Sequence, residues 1–319
     1  MYVTQVRTEG LRQGVDLRDL DRSVSLKAGE AGAVVADALM LWAGTLAPTT
    51  LPKRLVDLGA ASAEDVVECT IDKGWLEGVG CDLGGELIAM LAPGERRFAI
   101  EVTIQADPPF FGRLREHAVR DPRLVTALGE ASTVTVRVGW FLSEDGSSTT
   151  VGLLALLVGR TSFPVTGSER PVWAPAVLAS VGKRFSRTGR VESLGEMGAR
   201  LLAIATGSDA ERRRSLSRAS KALSKAPFYI GALELVSVGK EVVPAFGPDL
   251  IRARRLGPAA IHSLALVEQV FVEQPDVLIV DGAGAGFRRP NAVRKWVEGQ
   301  TDGEDATLEQ VFFTDGGRP

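Results

Sequence analysis

The sequence predicts a mixed α/β fold, and three stretches carry that prediction. Residues 256–273 run as an apolar helix pattern that Pro275 stops, and Val277–Val280 follow as an aliphatic run ending at Asp281. A uniformly apolar run of that length suits a strand buried on both faces of a mostly parallel sheet. Phe98–Ile104, Thr133–Leu142 and Thr149–Val158 read as strands, the last two joined by the Asp-Gly turn at 144–148, which predicts a flanking antiparallel β lobe. Residues 176–223 are helical and basic, which predicts a compact helical subdomain.

In chain order, residues 2–10 alternate as a first strand, and Val24/Leu26 mark a short second one. Residues 28–35, AGEAGAVV, read as a loop feeding an apolar helix Ala36–Leu46. Residues 47–92 are mixed short elements, Asp107–Leu114 a Pro/Phe loop, and Leu114–Leu128 helical segments broken at Pro122. Residues 162–175 are a Pro/Gly-rich crossover. Pro227–Leu235 and Val236–Val243 read as strands returning to the main sheet, Ala292–Val297 as a short helix, and Gln310–Thr314 as the last strand. The expected divisions are 1–160, 161–226 and 227–319.

The 319 residues are 45% apolar and 24% charged, enough for a sizeable core and unlike a disordered tail. A net charge of −3 gives no global drive towards nucleic acid, but its sign is uneven. Residues 1–160 hold 16 Lys/Arg against 22 Asp/Glu, and residues 161–319 hold 21 against 18. Cys69 and Cys81 make neither a disulfide framework nor a zinc set. With no signal-like segment and no apolar run of membrane-spanning length, the expected location is the cytoplasm.

Helix, stop, buried strand and terminal Asp resemble the second half of an ABC-type ATPase head of the RecF/SMC/Rad50 group, here without a long coiled coil. The resemblance implies a P-loop NTPase-like core and four stations for triphosphate chemistry. Its Walker A loop falls on residues 28–35, with Ala28, Gly29, Gly32 and Ala33 in the turn, Val34 at the Lys position and Val35 at the Ser/Thr position. Valine offers neither charge nor metal ligand. The signature motif becomes Leu256-Gly257-Pro258-Ala259-Ala260, lacking the serine that would touch a γ-phosphate. Walker B keeps Asp281 but has Gly282 in place of the general base, and Asp315-Gly316-Gly317 stand where a switch histidine is expected. The resemblance thus implies a degenerate nucleotide site, no catalytic residue and no cofactor.

Several residues read two ways. Asp281 is a metal ligand or a strand-end cap. Gly282–Gly286 mimics a dinucleotide fingerprint, with Phe287 in the third glycine's slot, or is a plain loop of small residues. His117 and His262 are too isolated for a metal site, and no Gly-x-Ser-x-Gly elbow surrounds the serines of 215–224. Residues 183–225 hold 11 Lys/Arg against 4 Asp/Glu. Arg212, Arg213, Arg214, Arg218, Lys221 and Lys225 fall in this stretch, and the last four are spaced as one stripe of a helix. Such a stripe grips nucleic-acid phosphate, docks an acidic partner, or is merely solvated.

The functional expectation is a pseudo-ATPase that binds or scaffolds, as a dimer with itself or with a related ATPase subunit, in DNA maintenance or defence. The alternatives are an ATPase completed by non-standard ligands or a partner's residues, and a nucleic-acid-binding module using the basic helix.

Overall fold

A computed structural model describes residues 1–12, 14–26, 30–47, 69–71, 91–142, 149–165, 172–188, 194–280, 286–302 and 306–314. The chain divides into two compact units, Met1–Phe185 and Ser186–Pro319. Both helices and sheets are present, so the expected mixed α/β class holds.

The first unit is built on a seven-stranded antiparallel sheet. Its strands are β1 (Tyr2–Glu9), β2 (Asp16–Leu17), β4 (Cys69–Ile71), β5 (Arg97–Gln105), β6 (Thr133–Leu142), β7 (Thr149–Val158) and β8 (Thr161–Pro164). A further strand, β3 (Ser23–Leu26), leads into helix α1 (Glu30–Leu46). The path runs β2-β1-β5-β6-β7-β4, with β8 also on β7. Period-two alternation sends Val102, Ile104, Val134, Val136 and Val138 to the buried face. Glu101 and Arg137 face the other way and pair at 2.7 Å, and Arg137 also reaches Glu9 at 2.6 Å. α1 contributes Leu39, Trp42 and Leu46 to the core, and Trp42 Nε1 donates to the Val136 carbonyl at 3.0 Å.

Two local expectations change here. α1 starts at Glu30 rather than Ala36, because alanines favour helix and Val35 and Ala36 are already buried. The Pro/Phe stretch expected as a loop is helix α2 (Pro108–His117), because Asp107 caps it by accepting the Phe110 N–H at 2.9 Å and Pro108 needs no N–H there. Pro122 likewise opens helix α3 (Pro122–Glu130), capped by Asp121. Helix α4 (Ala174–Gly182) ends at a glycine whose β-carbon would lie 2.6 Å from the Leu46 backbone, so α1 and α4 touch closely there.

β9 (Phe185–Arg187) spans the boundary, and the second unit continues with α5 (Leu194–Thr206) and α6 (Ala210–Leu223). Next come β10 (Leu233–Val238), β11 (Glu241–Phe246), β12 (Ile251–Arg252), α7 (Ala253–Leu256) and α8 (Pro258–Glu268). One π-helical turn, Gln269–Glu273, extends α8. β13 (Val277–Val280), α9 (Pro290–Glu298) and β14 (Gln310–Thr314) complete the unit. β13 and β14 pair in parallel and are buried throughout, as the aliphatic run predicts. β10, β11 and β12 are a correction. They form their own antiparallel three-stranded sheet rather than returning to a larger one. Their hairpin turns at Gly239-Lys240, which sets the register several residues later than the sequence pattern suggested.

The helices of this unit converge on one core containing Leu201, Leu223, Phe246, Leu264, Leu278 and Phe313. α5 runs so close to β11 that a β-carbon on Gly198 would overlap the Val242 carbonyl oxygen. The last residue of α8, Glu268, is 2% exposed and carries a carboxylate. Arg200 on α5 meets it at 2.9 Å and also reaches Glu273 at 3.2 Å. Breaking a buried pair from one side leaves an uncompensated charge. Arg200→Ala is therefore expected to lower the unfolding free energy by about 3 kcal/mol in urea titration, whereas Arg212→Ala, exposed at the edge of the network, is expected to cost less than about 1 kcal/mol.

Candidate functional site

The residues assigned to the degenerate nucleotide site are only partly described. Ala28, Gly29, Asp281 and Gly282 lie outside the described residues, as do the switch position 315–317 and the turn at 144–148. Gly32 and Ala33 are backbone positions within α1. Val34 is half-buried, and Val35 is 2% exposed within the core of the first unit. An α-helix beginning at Glu30 uses the N–H groups of residues 34 and 35 in its own i→i−4 hydrogen bonds. Those amides are therefore engaged at the two positions where a phosphate loop would need a lysine and a hydroxyl.

The remaining station residues are quieter. In the signature position, Gly257 takes φ +86 and Pro258 starts α8, while Ser263 one turn on bonds back to the Ala259 carbonyl at 2.7 Å. His262 is exposed, with Nδ1 3.3 Å from the Gly286 carbonyl. Among the described residues no group of three or more His, Cys, Asp or Glu is placed to hold a metal ion. Among them, too, no helix is long and apolar enough to cross a membrane.

The six cations from Arg212 to Lys225 all lie among the described residues, and their geometry is specific. Asp209 caps α6 by accepting the N–H groups of Glu211 and Arg212 at 2.9 and 3.0 Å. Ser215, Ala219 and Leu223 form its buried face. Arg214, Arg218 and Lys221 therefore fall on the solvent side, and all three are exposed. The six cations do not behave alike. Arg212 pairs with Glu273 at 3.4 Å, and Arg213 donates to the Gly207 carbonyl. Arg214, Arg218, Lys221 and Lys225 have no carboxylate partner among the described residues. The helix ends at Leu223, so Lys225 continues the stripe from a turn and not from the helix: its N–H donates to the Ala222 carbonyl at 3.1 Å.

Lys225 leads into a feature that the sequence reading passed over. Its carbonyl accepts the N–H groups of Phe228 and Tyr229 at 3.0 and 2.9 Å. Tyr229 is 60% exposed, has φ +51, and has the Arg289 guanidinium over its ring at 5.3 Å. Next to it is a cavity of about 70 Å³ whose lining includes Phe228, Tyr229, Phe287, Arg288, Arg289 and Val293. Phe228 is fixed from behind by an edge-on contact with Trp296 at 4.9 Å. The only sequence signal was two short stretches, Phe228-Tyr229 and Arg288-Arg289, far apart in the chain.

Neither a family model nor a curated protein matches the sequence. Among solved structures, the chain is similar to the SMC head domain from Thermotoga maritima, with 10% sequence identity, a TM-score of 0.41, and coverage of 99% of this chain and 90% of that one.

Proposed function

We propose that this protein is a binding or scaffold subunit that does not hydrolyse nucleotide, working in the cytoplasm beside a second copy of itself or a related ATPase subunit in DNA maintenance or defence. One observation supports the non-hydrolysing part. α1 already engages the backbone amides at residues 34 and 35, and Val35 is packed in the core. The competing reading, an ATPase completed by non-standard ligands or by a partner's side chains, needs those amides free and a cation within reach. Without them, triphosphate has no preorganised cradle at these positions.

The purified protein is expected to release no phosphate from ATP above background, and Val34→Lys to leave it there. Robust turnover by the wild type would refute the reading. Calorimetric titration with ATP and Mg²⁺ gives an independent check, since tight binding that disappears in Asp281→Ala would favour the enzyme.

A second reading rests on a different observation: four exposed cations run along α6 into Lys225 without carboxylate partners, while Arg212 and Arg213 are engaged. On this reading the face takes nucleic-acid phosphate, and its affinity comes from displaced counterions. The double reversal Arg214→Glu/Arg218→Glu is expected to weaken binding uniformly across sequences and to reduce the salt slope by about one per lost phosphate contact, read by anisotropy across a salt series. Binding indifferent to that reversal would exclude this surface.

A further inference from the structure

We infer that Tyr229, backed by Arg289, is a nucleobase-stacking platform at the end of the α6 stripe, so that the nucleic acid this face accepts is single-stranded. The inference rests on the phosphate-binding reading of that face and narrows it to one kind of strand.

Three observations carry it. The first is exposure combined with constraint. Tyr229 shows 60% of its surface, yet its backbone is held at φ +51, a region that bulky L-residues rarely adopt. Its N–H is tied to the Lys225 carbonyl at 2.9 Å, which fixes its backbone to the turn that carries the last cation of the stripe. The second is the ring's surroundings. The Arg289 guanidinium sits 5.3 Å from its centroid, Arg288 is exposed next to it, and neither arginine has a carboxylate partner among the described residues. An exposed aromatic ring thus carries one cation over it, Arg289, and follows directly in the chain on the turn that ends the cationic stripe. An exposed ring next to cations fits a strand whose bases are unstacked, because a duplex hides its base faces and offers only phosphate and groove edges.

The third observation is the size of the cavity. At about 70 Å³ it lies far below the few hundred Å³ of a pocket that encloses a small-molecule ligand. Phe228, Phe287 and Val293 share its lining with Tyr229, so the ring stands at the edge of a small apolar patch and not over an enclosing pocket. An exposed tyrosine beside arginines is also a combination found at protein interfaces. The run of unpaired cations leading up to it favours a polyanion, and the test separates the two.

The experiment uses the full chain and fluorescence anisotropy with labelled oligo-dT of about 15 nucleotides, a duplex of the same length, and poly-glutamate as an acidic-polypeptide competitor, at about 50 and 200 mM salt. The wild type is expected to prefer the single strand. Tyr229→Ala is expected to weaken single-strand binding by about tenfold, leave duplex binding and the salt slope unchanged, and be rescued by Tyr229→Phe. Circular dichroism of the same samples establishes that each variant is folded. Single-strand binding by Tyr229→Ala equal to wild type overturns the platform. An equal loss on single strand and duplex overturns it too, and leaves the α6 face as a general phosphate surface. Stronger competition by poly-glutamate than by unlabelled oligo-dT, lost in Tyr229→Ala, assigns the site to an acidic protein and overturns it. A wild type that binds neither nucleic acid at low salt ends both readings.

Discussion

The buried carboxylate of Glu268 constrains how the helices of the second unit pack. An ionised carboxyl in a core is tolerable only where a cation meets it with good geometry, and Arg200 does so from a different helix. The pair therefore fixes α5 against the junction of α8 and its π-helical turn. A tight contact on the other side, Gly198 against the Val242 carbonyl, fixes the same helix to the β11 hairpin. Glu273, at the end of the π turn, extends the network by accepting both Arg200 and Arg212. The apolar residues of α6 set its orientation by facing the core, and one of its first-turn arginines reaches the network at its exposed edge. What α6 offers to solvent is what remains after that network has taken its share.

The segments most legible in the sequence are those where one physical rule dominates. Val277–Val280 and Gln310–Thr314 are apolar enough that only burial on both faces suits them, and they are buried throughout. Thr133–Leu142 alternates cleanly and becomes one of the longest strands. The misreadings arise where two rules compete. At Asp107-Pro108, proline suggested a loop, but an acidic cap followed by proline is also how a helix begins, and the aromatic residues after it give that helix something to bury. At Glu30–Val35, glycines and the resemblance suggested a phosphate loop, but alanine propensity and the burial of Val35 extend the helix instead. At residues 227–246 the sequence reading places the strand break between Leu235 and Val236, whereas Gly239-Lys240 interrupts the apolar pattern later and Gly239 takes the positive φ of the hairpin turn.

The candidate site divides along the same line. The stripe on α6 is a matter of local spacing, so helix periodicity sufficed to find Arg214, Arg218 and Lys221. Which cations are occupied is a tertiary question. Glu273 is distant in sequence from Arg212, and no local rule links them. The Tyr229–Arg289 pair is more remote still, because its two members come from separate loops. Exposure of a tyrosine is likewise invisible to composition, since the same residue type is buried as readily as displayed.

The α6 face also bears on whether its cations are merely a solvated surface. Arg214 and Arg218 stand at i,i+4, and Arg218 and Lys221 at i,i+3, so each neighbouring pair repels by roughly 0.2–0.5 kcal/mol in an isolated helix. A surface selected only for helix stability would interleave acids at these spacings, whereas this helix places Ser217 between the first pair and carries its single acid, Glu211, in the first turn. The stripe is thus slightly unfavourable for the helix that bears it. Its persistence depends on the opposite side: the Asp209 cap, the tether of Arg212 to Glu273, and the burial of Ala219 and Leu223. Repulsion along such a row is relieved when a polyanion lies over it, and this gives the unpaired cations a physical use that a purely structural account does not supply.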